Sequence, residues 1–456
     1  MNGALSQQQT GNRSAAALAD GILAVLDVGS TKVSCLLADM DGQGGFRILG
    51  TGTAQNLGMQ GDQPGDMDQV EAAIRSAVDQ AERSAGVTAT GALLAVSGAQ
   101  MATTAHEPTL ALDGVAVTAT HLAALADQLP PARSDRLVMT RHAVAFDLDG
   151  QEHVAPPFGV CGDRLTGFYV SVEADRDVVR ALEESVARAH LRLLGTVSAA
   201  HVGAAAALTG EEREDGAAFV DVGHASIQMA VLAGNELVHG SSLPFGDGDV
   251  LADIAARFHL SDDQAEAIKN RYGAAMVASS DARHSLTVPD DGAGARSIGQ
   301  AALNGVIEAQ MTVMLEAVRE ELDALHFEGT VVLAGSAARL SQMDSLAEQV
   351  LGHPVRLAEP PRLKHLPASW RDPGHAVPVG LMMYAAAHPL TGPLAFDPAP
   401  GRGWRPGALR DAFRDLWPPA APYAAPDASA GARAASETAP ALGPWPRLWH
   451  WMRESF

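Results

Sequence analysis

Three short stretches of the chain carry residue types and spacings suited to holding phosphate. The first is Asp27-Val-Gly29-Ser30-Thr31-Lys32. Gly29 gives the backbone conformations in which neighbouring N–H groups converge on an anion. Ser30 and Thr31 add hydroxyl donors, and Lys32 adds a point charge matched to phosphate. Asp27 is placed to hold a hydrated Mg²⁺. The second stretch repeats the pattern: Asp221-Val-Gly223-His-Ala-Ser226, with Asp221 as a second carboxylate on the metal side and Ser226 as a hydroxyl donor. The third, Gly329–Leu340, is an apolar run that turns at Gly335-Ser336 and starts a helix, whose N-terminus is a ready site for a nucleotide. Taken alone, each Asp-x-Gly stretch is equally well read as an ordinary hairpin turn.

The elements that must position these residues are legible around them. Ile22–Leu26 and Val33–Ala38 are apolar runs of strand length on either side of the first turn, so they read as a hairpin. Ala217–Leu232 reads the same way. Two such hairpins about 190 residues apart predict two related domains facing one nucleotide.

The three stretches, in this order, resemble the actin/Hsp70/sugar-kinase superfamily. Thr51-Gly-Thr53, Leu57-Gly-Met59, the helix Asp66–Gly86, Leu94-Ala-Val-Ser-Gly98 and Ala265-Glu-Ala-Ile-Lys269 followed by Arg271-Tyr-Gly273 resemble the bacterial cell division protein family FtsA, from about Gly21 to His388. The resemblance implies an α/β, actin-like two-domain fold with an inserted αβ subdomain. It also implies ATP and Mg²⁺ as cofactors, and a ribose grip by Glu266 and Lys269, which otherwise read as a surface ion pair three residues apart on one helix face. Gly335 and Ser336 would hold the nucleoside. This chain departs from the family pattern at His224, Ala225 and Ser336, where glycine is usual. The departures predict weakened ATP binding, with loss of binding as the alternative. No hydrolytic base stands out, so any ATPase is expected to be slow.

At 456 residues the chain has room for several compact units and a large core. A net charge of −22 argues against nucleic acid as a partner. Cys35 and Cys161 sit in apolar surroundings and read as core residues of a reducing compartment. No run reaches the 18 or so apolar residues of a spanning helix, and Asp20 interrupts the only signal-like stretch, so export is not expected.

In chain order, residues 1–20 read as a disordered leader and 21–87 as the first part of domain 1. Residues 88–165 read as an inserted unit. Leu165–Val172 returns to the main domain as a strand, within a return segment of 166–195. Gly195–Leu208 reads as a small-residue helix connecting the halves. Domain 2 spans 196–388, with a smaller subdomain at about 246–300. In the FtsA family the insertion mediates self-association and contacts with later division proteins. The small subdomain receives the C-terminal peptide of the tubulin-like GTPase FtsZ, with Arg271 and Arg296 as candidate contacts because that peptide is acidic.

After Pro389 the texture changes. Twelve of the 26 prolines lie in residues 389–446; 389–440 reads as a linker, and between Pro418 and Pro440 it has no Leu, Ile, Val or Phe with which to build a core. Within 441–456, Trp445, Leu448, Trp449, Met452 and Phe456 fall on one side of a helix, and Trp451 widens that face. Tryptophan favours the membrane–water boundary, so the segment reads as an amphipathic helix lying in a bilayer surface. Residues 401–456 carry seven Arg against five acidic residues, so anionic lipid does not repel this segment as it repels the acidic body. One such helix binds weakly, and many joined in a polymer bind tightly.

The expected function is therefore a self-assembling, peripheral adaptor on the cytoplasmic face of the inner membrane. It ties FtsZ filaments of the Z ring to lipid and helps recruit later division proteins. The alternatives are a sugar or small-acid kinase, or a pilus-assembly ATP-binder of the same superfamily. Neither has a use for a lipid-binding segment.

Overall fold

The computed structural model describes residues 21–40, 45–89, 91–153, 156–290 and 294–387. The leader, the 389–440 linker and the Trp445–Phe456 segment lie outside the described residues.

Domain 1 opens with β1 (Gly21–Val28), β2 (Lys32–Met40) and β3 (Phe46–Gln55), then a small hairpin of β4 (Met59–Gln60) and β5 (Gln63–Pro64). Helix α1 (Met67–Ala85) follows, and then β6 (Gly91–Val96). Asp66 caps α1 by accepting from the Asp68 and Gln69 N–H groups, and left-handed Gly86 ends it. The face carrying Val70, Ile74, Ala77, Val78 and Ala81 is buried, as the 3.6-residue period requires. It lies so close to β3 that a Cβ at Gly52 would come 1.9 Å from the Ala77 carbonyl oxygen. Edge strand β3 is blocked by the same helix: the Thr51 N–H donates to Ser84 Oγ and the Thr53 N–H to Gln80 Oε1.

The inserted unit comprises β7 (Ala102–His106), β8 (Thr109–Ala111), α2 (Ala119–Ala126), β9 (Arg136–Leu148), β10 (Gln151–His153) and β11 (Arg164–Asp175). Strand β11 pairs with β7, β8 and β9. The strand at Leu165–Val172 therefore belongs to the insertion and not to the main domain. Conversely β6, placed by sequence inside the insertion, runs parallel between β1 and β12 (Leu193–Ser198) in the domain 1 sheet. The cause is shared: continuous apolar runs announce buried strands without saying which sheet will take them. Helix α3 (Arg176–Arg188) precedes β12, and Gly195–Ser198 is strand, so the small-residue helix α4 begins at Ala199 (Ala199–Ala207).

Domain 2 follows a one-turn-and-a-half helix α5 (Gly210–Asp215). It contains β13 (Ala217–Val222), β14 (Ile227–Ala233), β15 (Glu236–Leu243), α6 (Asp247–Phe258), α7 (Asp262–Tyr272), β16 (Ser285–Asp290), β17 (Gly294–Gly299), α8 (Gln300–Ala324), β18 (Thr330–Gly335), α9 (Met343–Leu351) and β19 (Val355–Leu357). The sheet orders are β12-β6-β1-β2-β3 and β19-β18-β13-β14-β15. Each has one strand flanked by an antiparallel hairpin partner on one side and a parallel strand on the other. The two halves are repeats of one topology. This is an actin-like α/β fold.

The last helix, α10 (Ala376–Ala387), crosses back. Its Val379, Leu381 and Met382 are buried with Leu23, Val25 and Leu36 of domain 1. It packs on α4 at very short range: a Cβ on Gly380 would lie 1.8 Å from the Val202 carbonyl oxygen. The paired helices α4 and α10 thus lie at the junction of the halves. Cys35 is buried, whereas Cys161 is exposed on the inserted unit. The core assignment holds for the first thiol only, because an apolar neighbourhood in sequence became a surface loop.

Candidate functional site: two facing hairpins

The two Asp-x-Gly hairpins have the same construction. In each, four residues connect strands whose last paired positions are Val28↔Val33 and Val222↔Ile227. In each, the glycine N–H closes the loop onto the fourth residue, Gly29 to the Lys32 carbonyl and Gly223 to the Ser226 carbonyl, both at 3.0 Å. Asp27 and Asp221 stand two residues before each glycine and pair across their hairpins with Ser34 and Gln228.

Both carboxyls are half-buried and poorly solvated. Burial lifts Asp27 from 3.8 to about 6 against the opposing charge of Lys32. Burial lifts Asp221 to about 7, with the negative charge of Asp27 adding to the rise and Lys32 opposing it. The Lys32 ammonium is itself pushed down by burial, with Asp27 countering. Two carboxylates and one lysine from opposite halves therefore share one poorly solvated space. Gly335 completes the wall. It adopts φ +88, and a Cβ there would lie 2.4 Å from Asp221 Oδ1, so only glycine lets the end of β18 meet that carboxylate. The adjoining Ser336 Oγ is buried and has no partner among the described residues.

The predicted site residues do not all converge. Asp27, Lys32, Asp221 and Gly335 do. Thr31 is exposed at the hairpin tip. The Lys269 ammonium is bound by Asp247, at 2.7 Å to Oδ1 and 2.6 Å to Oδ2, with both side chains buried. Glu266, its expected companion, is exposed. The two side chains are thus separated rather than joined in one grip. Ser226 Oγ donates to Asp62 Oδ1 at 2.9 Å, so that hydroxyl already serves an anion from domain 1. The His224 ring lies against the first turn of α6, since a Cβ on Gly248 would come 2.9 Å from its Nε2. Arg271 is exposed and sits over the Tyr272 ring. The side chain of Arg296 lies outside what is described.

Three contributors carry no motif of their own. Asn56, buried after β3, donates from Nδ2 to the Gly29 carbonyl at 2.9 Å, and its N–H donates to the Thr31 carbonyl at 2.8 Å. It shapes the first hairpin. Asp247, just after the Phe245-Gly246 turn, donates its N–H to the Gly223 carbonyl at 2.8 Å and shapes the second. Arg339 holds Asp372 through Nε at 2.7 Å and 2.9 Å. Burial alone would raise Asp372, but the Arg339 hydrogen bonds, the Gly374 N–H and the positive charge nearby together outweigh it and hold the carboxyl below its usual value. His375, next along, is pushed down to about 4, first by burial and then by Lys32.

The donor set fits a hydrated Mg²⁺ with a nucleotide. Among the described residues no cluster of three or more His, Cys, Asp or Glu could hold a metal ion. A cation between Asp27 and Asp221 would complete its shell with water and phosphate oxygens, as Mg²⁺ does. The carboxyls that resist ionisation and the unpartnered Ser336 hydroxyl are groups such a ligand would satisfy.

The comparisons with known proteins bear on the same region. A family profile described as "Cell division protein FtsA" matches residues 218–380. The cell division protein FtsA of Rhizobium meliloti (strain 1021) is 30% identical over 385 residues, covering 80% of this chain and 87% of that protein. The chain belongs to the FtsA family of cell division proteins. FtsA of Escherichia coli (strain K12) is 27% identical over 381 residues, covering 80% of this chain and 91% of that protein. A solved PilM-PilN type IV pilus biogenesis complex has a chain similar in fold. Its TM-score is 0.57 at 14% identity, over 79% of this chain and 97% of the other. That likeness concerns the fold alone. The FtsA relatives favour the division reading over the kinase and pilus alternatives.

Proposed function

We propose that this FtsA-family chain is a nucleotide-dependent clamp that assembles with copies of itself and ties FtsZ filaments to a membrane surface. The observation that carries the clamp is the pair of half-buried carboxyls, Asp27 of one half and Asp221 of the other, whose charges act on one another and on Lys32. Such a trio is poorly satisfied by protein alone and well satisfied by Mg²⁺ and phosphates. ATP would supply the phosphates to Gly29, Ser30, Thr31, Lys32, Gly223 and Ser226. Its nucleoside would lie toward Gly335 and Ser336. Lys269 would act there only through Asp247, and Glu266 only after a change of conformation. No general base stands out beside the carboxyls among the described residues, so turnover is expected to be slow.

The membrane reading rests on sequence. Among the described residues no helix is long and apolar enough to cross a membrane, and the segment Trp445–Phe456 carries the amphipathic pattern. Anchoring at the division site, recruitment of later division proteins through the inserted unit, and capture of the FtsZ peptide by the subdomain at about 246–300 follow from family membership. The clamp is tested by calorimetric titration of the full-length protein with Mg·ATP. Saturable binding that Asp27→Asn and Asp221→Asn both abolish supports it; binding that survives both substitutions overturns it.

A further inference from the structure

Asp62 stands at the tip of the β4–β5 hairpin, after Gly61 in a left-handed conformation (φ +63). Its carboxylate reaches out of domain 1. Oδ1 accepts from Ser226 Oγ at 2.9 Å, and that oxygen of Ser226 accepts in turn from Gln228 Nε2 at 2.8 Å. Ser226 is buried, so its hydroxyl is held in one arrangement. The other carboxylate oxygen lies on Gly98: a Cβ there would come 2.0 Å from Asp62 Oδ2, and Gly98 adopts φ +65. Only glycine admits the carboxylate at this point.

Gly98 is also the root of the inserted unit, and the residues after it are stitched to domain 2. The Gly98 carbonyl accepts from Ser242 Oγ at 3.1 Å, and Ser242 Oγ accepts in turn from the Met101 N–H at 2.9 Å. Thr103 Oγ1 donates to the Gly240 carbonyl at 2.8 Å and accepts from the Gly240 N–H at 2.7 Å. One carboxylate therefore touches the phosphate hairpin of domain 2 and the strand that leads into the insertion. Burial raises its carboxyl above the usual value while the Ser226 hydroxyl opposes the rise, so the ionised form is weakly solvated where it sits.

A phosphoryl oxygen at the second hairpin needs the same hydroxyl. Two anions cannot share it at short range without repulsion. We propose that Asp62 sets the affinity of this site for phosphoryl groups. It occupies Ser226 in place of the ligand, and a nucleoside triphosphate displaces it, loosening Gly98 and the strand into the inserted unit. This rests on the nucleotide reading above. It adds a residue that opposes binding and a route by which occupancy reaches the insertion.

The test uses the full-length protein and the variants Asp62→Asn, Asp62→Ala and Gly98→Ala. Mg·ATP affinity is measured by calorimetry, and hydrogen–deuterium exchange is followed at residues 98–103 and 240–242 with and without nucleotide. A hydrogen bond to a charged group must no longer be broken in the Asp62 variants, so both should bind about tenfold tighter or better. Without nucleotide, Asp62→Ala should exchange in these segments as fast as the ATP-saturated wild type. Gly98→Ala, which expels the carboxylate sterically, should shift affinity in the same direction. Unchanged or weaker affinity in the Asp62 variants, with wild-type binding intact, overturns this proposal alone. Unchanged exchange in Asp62→Ala and in the ATP-saturated wild type overturns the route to the insertion. Failure of every protein to bind Mg·ATP overturns the nucleotide reading itself.

Discussion

Asp221→Asn should make the nucleotide-free protein more stable, and increasingly so as pH rises. Burial, aided by the charge of Asp27, lifts the Asp221 carboxyl from 3.8 to about 7. Between those values the folded chain keeps a proton that the unfolded chain releases. Stability therefore falls as pH climbs through that window and levels off above about 7. At about 1.4 kcal/mol per pH unit, folding with Asp221 costs about 2 kcal/mol at pH 5 and about 4 kcal/mol at pH 8. Asparagine carries neither cost; the attraction to Lys32 already holds the carboxyl's rise to about 7, so the net gain at pH 8 should be at most about 4 kcal/mol. Urea denaturation of both proteins at pH 5, 6.5 and 8, in chelator, measures it. The gap should widen with pH. Adding Mg·ATP should then stabilise the wild type and leave the variant unchanged, because ligand binding to the folded state alone raises stability. A gap that does not change with pH, or a variant less stable at pH 8, would refute the idea that two carboxyls are confined without compensation.

Other substitutions probe the supports of the site. Asp247→Ala strands a buried Lys269 ammonium and should cost about 3–5 kcal/mol in urea denaturation. Asn56→Ala frees the Gly29 and Thr31 turn and should weaken Mg·ATP binding by roughly tenfold, with a smaller effect on unfolding. Gly52→Ala places a methyl against the α1 backbone and should lower stability by about 3 kcal/mol or more, read as a drop in Tm. A thiol reagent should modify Cys161 at once in the native protein and Cys35 only after unfolding, since burial also pushes the Cys35 thiol strongly up.

Much of the scaffold was legible because its signals are local. The alternation of apolar runs around Gly29 and Gly223, and the cap at Asp66 with its stop at Gly86, are fixed by neighbours in sequence. The pairing of β6 with β1 joins partners 68 residues apart, and that of β11 with β9 joins partners 17 to 39 residues apart, and no local pattern encodes either choice. The site divides the same way. Asp27, Lys32 and Asp221 lie within turns that announce themselves. Asp62, Asn56 and Asp247 act through contacts 22 to 164 positions apart, and each belongs to a type common in loops. Lys269 shows the converse hazard: a spacing that suggests an i,i+3 partner is overruled when burial offers a carboxylate from another helix.

The adaptor role is tested most directly by flotation. Full-length protein is mixed with FtsZ filaments and anionic vesicles in Mg·ATP, beside a truncation ending before Gly443. The account predicts that FtsZ rises with the vesicles only when the full-length chain is present. FtsZ that floats equally well with the truncated chain, or stays behind while the full-length chain floats alone, would contradict it.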